Sequence, residues 1–293
     1  MSSTFVVLLF DLMARLPLRA LHFMGAMLGW ATYLLSGTYA SRLRENLGNY
    51  NAGRHPQEFN KVLRASVAEA GKSITELPWV WRRPVTEVLA NVRQCYGREY
   101  FDEARLDGKG LIVLTPHLGC FEMIGLYVAA EMPMTCMYST PKRAWMDDVI
   151  RGGRQRGQML LARADIGGVR TLFKALKRGE AIGLLPDQVP AHGEGEWVDY
   201  FGRPAYTMTL AGRLLASSGA SVLLSYVVRR PRGEGFDIYF APLPLVAGMP
   251  VTRQINLALE KIIRSCPAQY LWSYNRYKAP PGSMPVAEIK DTE

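Results

Sequence analysis

The sequence has few cysteines and lacks the short motifs that mark several enzyme classes. Four cysteines in 293 residues, none of them in a CxxC pair, indicate neither a zinc knuckle nor a disulfide framework, and a reducing cytosol fits this usage best. No GxSxG elbow, Walker loop, HExxH or dinucleotide fingerprint occurs in the chain. A catalytic site therefore has to be sought among other residues.

The sequence also lacks an apolar run long enough to cross a bilayer unaided. Its cleanest run, residues 21–35, has 15 residues, whereas a spanning helix needs about 20. We expect residues 1–40 to form a membrane anchor that either spans the membrane, by extending back past Pro17, or lies in its interface. Arg42 and Arg44 directly follow and favour a cytoplasmic position for the rest of the chain. The alternative is a buried N-terminal helix of a soluble domain.

The charge balance is basic, with 35 lysines and arginines against 26 acidic residues and a net charge of +9. Such a charge favours anionic partners, which include a phospholipid surface, a phosphorylated glycolipid, an acidic carrier protein and nucleic acid. Charge alone does not distinguish them. The hydrophobic fraction of 48% is enough to fill a sizeable core, so a folded chain is expected rather than a disordered one.

In the later part of the chain, short apolar strands alternate with helical patterns. This alternation predicts an α/β fold with a mostly parallel central sheet and flanking helices. We expect one catalytic domain over residues 41–283, after the anchor helix, and a flexible tail at 284–293. A helix is predicted over residues 56–83, where Trp79 and Trp81 either form part of a headgroup-level aromatic belt or pack under the helix. The predicted strands are residues 110–116, 134–139, 181–186, 221–230 and 235–245, and the predicted helices are residues 120–132, 169–179, 207–219 and 252–265.

His117 and Glu122 are the strongest catalytic candidates. His117 stands at the carboxyl end of a predicted buried strand, the place where open α/β sheets bind ligands. Glu122 follows five residues later, in the first turn of the next predicted helix, where its carboxylate can reach back to the imidazole. A histidine held by a carboxylate through one nitrogen presents the other as a general base. The alternatives are ordinary structural roles for both residues and a thiol nucleophile at Cys120.

The residues around this pair resemble a known sequence block. GKGLIVLTPHLGCFEMIG is similar to the H-x4-[D/E] block of the lysophospholipid acyltransferase superfamily, and within it to the lipid A biosynthesis acyltransferases, the lauroyl and myristoyl transferases. Two departures are Cys120-Phe121, where the family commonly has Asn-Trp, and Tyr274, where relatives often have a histidine. The other matching segments are RENL at 44–47, GGRQR at 152–156, LARAD at 161–165, GLLPDQ at 183–188, DYFGRPAYT at 199–207 and PAQYLWSYNRYKAPP at 267–281.

This resemblance implies a glycerolipid acyltransferase-like fold and a specific reaction. A fatty acyl group is transferred from an acyl-acyl carrier protein thioester to a hydroxyl of a Kdo-bearing lipid A precursor, with His117 as general base and Glu122 orienting it. No metal or cofactor is needed, because a thioester is already an activated acyl group. The implied partners are acyl carrier protein, the anionic glycolipid acceptor and the bacterial inner membrane, with the catalytic domain facing the cytoplasm. Nucleic acid is not needed to explain the basic charge.

Three further residues are candidates for substrate binding by the same resemblance: Arg154, Arg163 and Asp187. An arginine fork can hold a phosphate or support a developing oxyanion. The alternatives are solvated surface arginines and an aspartate that caps a turn. For the function itself, the alternatives are a thioesterase or lipid hydrolase that uses the same groove, acylation of a different membrane glycolipid, and a nonenzymatic basic protein that binds membranes or nucleic acid.

Overall fold

The computed structural model describes residues 3–50, 55–141 and 143–283, so the expected tail lies outside the described residues. Within these ranges the helices are α1 (Ser3–Ala14), α2 (Leu18–Leu35), α3 (Gly37–Tyr50), α4 (Pro56–Thr75), α5 (Leu77–Arg82), α6 (Val85–Leu89), α7 (Arg98–Asp107), α8 (Glu122–Glu131), α9 (Ala144–Arg154), α10 (Ile166–Lys177), α11 (Leu210–Ser218) and α12 (Val251–Ser265). The strands are β1 (Val92–Tyr96), β2 (Leu111–Leu114), β3 (Met134–Tyr138), β4 (Met159–Arg163), β5 (Ala181–Leu184), β6 (Gly195–Tyr200), β7 (Arg203–Met208), β8 (Ser221–Arg229) and β9 (Phe236–Pro242).

Seven of these strands form the central sheet, in the order β1-β9-β8-β2-β5-β3-β4. All neighbours in it are parallel except β8 and β9, which run antiparallel. The β6–β7 hairpin forms a separate antiparallel pair. The predicted α/β architecture with a mostly parallel sheet and flanking helices is confirmed.

Strand β2 shows why the central strands of this sheet can be predicted from the sequence. Leu111 and Val113 belong to one hydrophobic cluster, whereas Ile112 and Leu114 belong to another on the opposite face. Because helices cover both faces, every residue of the strand is apolar and buried, as is usual for a parallel sheet. The two edge strands of the sheet, β1 and β4, are partly exposed and carry charged residues, and the apolar pattern does not predict them.

The N-terminal segment differs from the expected single anchor helix. It is divided at Pro17, which directly precedes α2, and α1 and α2 are separate helices. Of the helices in the described residues, none is both long and apolar enough to cross a membrane. The predicted helix over 56–83 is likewise divided, into α4 and α5. Trp79 and Trp81 in α5 are 2% and 7% exposed, so they pack inside the protein and do not form an aromatic belt.

Helix α2 crosses α4 at a contact made by glycines. A Cβ atom on Gly71 of α4 would lie 1.8 Å from the carbonyl oxygen of Gly25, and one on Gly29 would lie 2.1 Å from the carbonyl oxygen of Val67. These are backbone atoms, so a side chain at either position would force the helices apart. The absence of side chains therefore allows α2 to pack directly on α4.

This contact predicts opposite effects for two helical Gly-to-Ala substitutions. Gly71→Ala should lower the free energy of unfolding by about 1–3 kcal/mol, because the added methyl group overpacks the helix crossing. Gly48→Ala in α3 is the matched control, since no atom lies within 4 Å of its added Cβ, and the better helix propensity of alanine should stabilise by about 0.5–1 kcal/mol. Chemical denaturation of both variants measures the difference. Equal effects would contradict the close crossing.

Candidate functional site

The site is assembled where two neighbouring parallel strands end. Leu114 at the end of β2 pairs with Leu184 at the end of β5. His117 follows Leu114 by three residues, and Asp187 follows Leu184 by the same number. The strand register therefore delivers both side chains to one place at the carboxyl edge of the sheet, where parallel α/β sheets collect ligands.

Asp187 holds His117 by two contacts. Its Oδ1 lies 2.8 Å from the imidazole Nδ1, and its Oδ2 accepts a 2.9 Å hydrogen bond from the His117 backbone N–H. An ionised carboxylate only accepts hydrogen bonds, so Nδ1 carries the proton and Nε2 keeps its lone pair. The Gln188 amide nitrogen lies 3.1 Å from that Nε2 and donates to it. This arrangement presents Nε2 as a base.

The C-terminal segment fixes the two loops that carry this pair. The backbone N–H of Leu271 donates to the His117 carbonyl over 3.0 Å. Tyr274 accepts a 3.0 Å hydrogen bond from the backbone N–H of Val189 through its hydroxyl. Tyr274, a departure from the family pattern, thus holds the loop that follows Asp187.

Glu122 faces Arg154 and Trp81. Arg154 binds the carboxylate through two nitrogens, with Nε 2.9 Å from Oε2 and Nη2 close to Oε1, and Trp81 donates its indole N–H to Oε2 over 3.0 Å. Gly153 allows α9 to approach this closely, because a Cβ there would lie 2.5 Å from the Trp81 ring. Among the described residues, the imidazole donates to Asp187 through Nδ1 and accepts from Gln188 at Nε2, and no hydrogen bond joins it to Glu122, contrary to the expectation from the sequence.

Both carboxylates are kept charged despite burial. Burial opposes ionisation of Asp187, but the positive charge that His117 carries when protonated and the hydrogen bonds from His117 outweigh burial and lower the pKa of Asp187. Burial also opposes ionisation of Glu122, and there the charge of Arg154 and the hydrogen bonds from Arg154 and Trp81 lower the pKa. The charge of His117 contributes to the lowered pKa of Glu122, so the imidazole lies within electrostatic range of both carboxylates.

An apolar pocket opens beside this pair, between the sheet and α8. It encloses about 490 Å³, including its open mouth, and Glu122, Arg154 and Phe121 are among the residues that line it. The Phe121 ring also contacts the His117 ring, with centroids 4.8 Å apart, so the imidazole packs against a residue of the pocket wall. Much of the remaining lining is apolar and rich in sulfur-containing side chains: Val113, Ile124, Met134, Cys136, Met137 and Met159.

Two glycines leave room for this pocket. A Cβ on Gly125 would lie 2.7 Å from the Met159 sulfur, and one on Gly183 would lie 2.7 Å from the terminal methyl of Met134. Methionine side chains are flexible and adapt their shape to a ligand. The pocket wall is therefore adjustable as well as apolar.

The two residues that separate His117 from Glu122 have distinct positions. Phe121 forms part of the pocket wall, as described above. Cys120 is 2% exposed, and burial, together with the nearby charge of Glu76, raises the pKa of its thiol well above the usual value. A nucleophilic cysteine needs a lowered pKa and access to substrate. The alternative thiol mechanism is therefore not supported.

The remaining predicted residue, Arg163, lies apart from this group. It is exposed at the end of the edge strand β4, two strands beyond β5.

Sequence reasoning missed Gln188 and Arg276; the latter is 3% exposed and its charge contributes to the lowered pKa of Asp187. The role of Asp187 had a signal in the sequence, because VLTPH and GLLPD both continue a buried strand with one residue, a proline and a polar residue.

Comparison with known proteins identifies the family of this chain. A family model described as bacterial lipid A biosynthesis acyltransferase matches residues 2–279. The chain belongs to the bacterial lipid A biosynthesis acyltransferase family. It is 26% identical over 281 residues to the lipid A biosynthesis palmitoleoyltransferase of Escherichia coli (strain K12), covering 92% of this chain and 89% of the relative.

Two more relatives agree with this membership. The lipid A biosynthesis lauroyltransferase of Escherichia coli (strain K12) is 24% identical over 280 residues, which cover 94% of this chain and 90% of the relative. A lipid A biosynthesis acyltransferase of Haemophilus influenzae is 27% identical over 182 residues, 60% of this chain and 56% of the relative. The resemblance inferred from the sequence is confirmed. This lipid A biosynthesis acyltransferase is an enzyme, and the hydrolase and nonenzymatic alternatives are not supported.

Proposed function

We propose that this enzyme transfers a fatty acyl group from an acyl-acyl carrier protein thioester to a hydroxyl of a lipid A precursor. The observation that carries this proposal is the His117 Nε2 lone pair beside an apolar pocket, with Nδ1 held by Asp187. The base suits a hydroxyl acceptor, and the pocket suits a fatty acyl chain. The family and its acyltransferase relatives support the donor and acceptor classes.

His117 moves the proton in this reaction. The acceptor hydroxyl takes the place of the Gln188 amide at Nε2 and gives its proton to that nitrogen as its oxygen attacks the thioester carbonyl carbon. The tetrahedral intermediate collapses by breaking the carbon–sulfur bond, and the imidazolium returns the proton to the departing thiolate. Asp187 remains ionised throughout, keeps the required tautomer and stabilises the imidazolium.

Arg154 and Glu122 supply charge at the pocket mouth. A guanidinium has five N–H donors, and the two bonds to Glu122 leave others available. Since Arg154 lines the pocket, we assign it the stabilisation of the oxyanion that develops on the thioester carbonyl. Glu122 fixes Arg154 and stabilises the imidazolium through space, a longer-range version of the orienting role expected from the sequence. Arg163, at the same edge of the sheet, is assigned to the anionic headgroup of the acceptor.

The apolar surface of α1 and α2 supports binding in the membrane interface. Large side chains on both helices are exposed, although the opposite stripe of α2 is buried against the protein. Exposed Arg15 lies between the helices, exposed Arg19 lies in the first turn of α2, and Arg42 and Arg44 follow α2, which suits anionic lipid headgroups. We propose that this face lies on the cytoplasmic side of the bacterial inner membrane, where the lipid acceptor and the acidic carrier protein meet. The exposed residues are Leu8, Leu12, Phe23, Met27, Leu34 and Leu35.

Substitution of the base tests the proposed chemistry. The purified enzyme is given an acyl-acyl carrier protein thioester and a Kdo-bearing lipid A precursor, and mass spectrometry of the lipid should show one added acyl group. His117→Ala and Asp187→Asn should each reduce the rate by about 100-fold or more at unchanged folding. The first variant lacks the base, and the second lacks the carboxylate that fixes the tautomer of the base.

The control for this experiment is His55→Asn, which removes an exposed histidine at the start of α4 and keeps a capping side chain. Its rate should equal that of the unaltered enzyme. Near-normal transfer by His117→Ala would refute the assignment of the base. Release of free fatty acid without acylation of the lipid would instead support a thioesterase.

The membrane face predicts a position-dependent loss of lipid binding. Phe23→Glu with Met27→Glu places two charges on the exposed side of α2 and should weaken flotation with phosphatidylethanolamine–phosphatidylglycerol vesicles more than 10-fold, since each buried side chain contributes about 1.5–3 kcal/mol. Leu106→Glu with Leu160→Glu is the matched control, because these residues are 78% and 55% exposed on α7 and β4. Equal binding by both double variants would contradict this face.

A further inference from the structure

A buried group of charges lies behind the loop that carries His117 and takes no direct part in the proposed reaction. Arg229, at the end of β8, has a side chain that is 2% exposed, and Glu76, between α4 and α5, is equally buried. The Arg229 Nε lies 2.8 Å from Glu76 Oε2, and Nη2 binds Oε1 of the same carboxylate. His22 of α2 contacts Glu76 at 3.3 Å. The cluster thus joins the central sheet to the helices α2, α4 and α5.

One bond leaves this cluster for the catalytic loop. Arg229 Nη2 donates to the backbone carbonyl of Gly119 over 2.7 Å. Gly119 lies two residues after His117 and has a positive φ of 59°, and a Cβ there would lie 1.6 Å from the Val227 carbonyl oxygen. The loop is thus pressed against β8 in a conformation that only glycine permits. The charged Arg229 guanidinium fixes the carbonyl of Gly119.

Neighbouring backbone bonds complete this attachment. The N–H of Gly119 donates to the Gln269 carbonyl over 2.9 Å, and the N–H of Cys120 donates to the Val227 carbonyl over 3.2 Å. The Gln269 side chain in turn binds the backbone N–H and carbonyl of Arg229. Three backbone groups after His117, the N–H and carbonyl of Gly119 and the N–H of Cys120, therefore have defined partners, and Arg229 is the only charged one among these three.

We propose that Arg229 and Glu76 are positioning residues that hold the His117 loop in its reactive geometry. A buried ion pair costs desolvation and is often matched in stability by apolar residues of similar size. Directional hydrogen bonding to the Gly119 carbonyl is something that apolar residues cannot supply. Because the imidazole must stand within hydrogen-bond distance of the acceptor hydroxyl, a shift of about 1 Å in this loop can cost 100-fold in rate. This role rests on the proposed general-base function of His117.

The test replaces both charges at once by Glu76→Leu with Arg229→Met. This variant should unfold at a temperature close to that of the unaltered enzyme, since Glu69 retains its partner Lys72 when Arg229 is removed. Its kcat for acyl transfer should fall about 10- to 100-fold with an unchanged KM for the acyl donor, because the pocket is untouched. Arg230→Met, which removes a partly exposed arginine paired with Asp237, is the matched control and should keep kcat.

Hydrogen exchange of the amides of Gly119 and Cys120 gives a readout that needs no substrate. Exchange should be at least about 10-fold faster in the double variant than in the control, because the loop loses its charged attachment. If the double variant does not fold, Arg229→Lys serves instead: a single ammonium keeps the ion pair but cannot also reproduce the bond to Gly119. It should show faster exchange and a lower kcat.

Unchanged exchange in the substituted protein would overturn the proposal, as would faster exchange with an unchanged kcat. A purely structural pair would lower the unfolding temperature without separating kcat from KM, and that result would also overturn it. If the unaltered enzyme transfers no acyl group, the proposed function fails. The exchange experiment still decides whether Arg229 and Glu76 hold the loop.

Discussion

The site depends on the parallel pairing of β2 with β5. Because Leu114 and Leu184 are partners in the register, the third residue beyond each strand reaches the same position at the edge of the sheet. A register shift of one residue would turn the following side chain to the other face. The His117–Asp187 contact is therefore a consequence of the same apolar packing that forms the sheet. The apolar packing that stabilises the sheet therefore also sets the geometry of the site.

The charges around this pair are arranged in two layers. Asp187 contacts the imidazole directly, whereas Glu122 accepts hydrogen bonds from Arg154 and Trp81 and acts on the imidazole through space. The division explains why an H-x4-E spacing can matter without a hydrogen bond between its ends. In the proposed mechanism Glu122 fixes Arg154, which lines the apolar pocket, and Asp187 selects the tautomer of the base. The two carboxylates thus have different tasks.

Much of this fold could be predicted from the sequence, since β2 and β5 are buried on both faces and therefore consist of apolar residues. The edge strand β1 could not, because its partial exposure admits Arg93 and Gln94 into the apolar pattern. His117 became a candidate from its place after a buried strand, and the resemblance of the surrounding block to the acyltransferase family supported it. Its contact with Asp187 was not predicted: VLTPH and GLLPD share a pattern, but the order of strands that makes them neighbours is a long-range property that local patterns do not encode. The sequence made Asp187 a candidate for substrate binding, whereas the pairing of β2 with β5 places its carboxylate against the His117 imidazole.

The N-terminal helices also have features that local sequence patterns did not predict. An apolar segment was evident, but its division at Pro17 and the glycine contact of α2 with α4 depend on tertiary packing. The buried stripe of α2 carries His22 to Glu76, so the face opposite the exposed apolar side chains is connected to the charged cluster behind the His117 loop. The proposed membrane face and the catalytic loop are in this way parts of one packed unit.

The most direct test of this account is the tautomer of His117, measured by nitrogen-15 NMR of the enzyme labelled at histidine. The signal can be assigned by its loss in His117→Ala. In the neutral imidazole we expect a proton on Nδ1 and a free lone pair on Nε2, and Asp187→Asn should remove this preference. A proton on Nε2 in the unaltered enzyme, or a tautomer that does not depend on Asp187, would contradict the central claim that β2 and β5 together prepare the base.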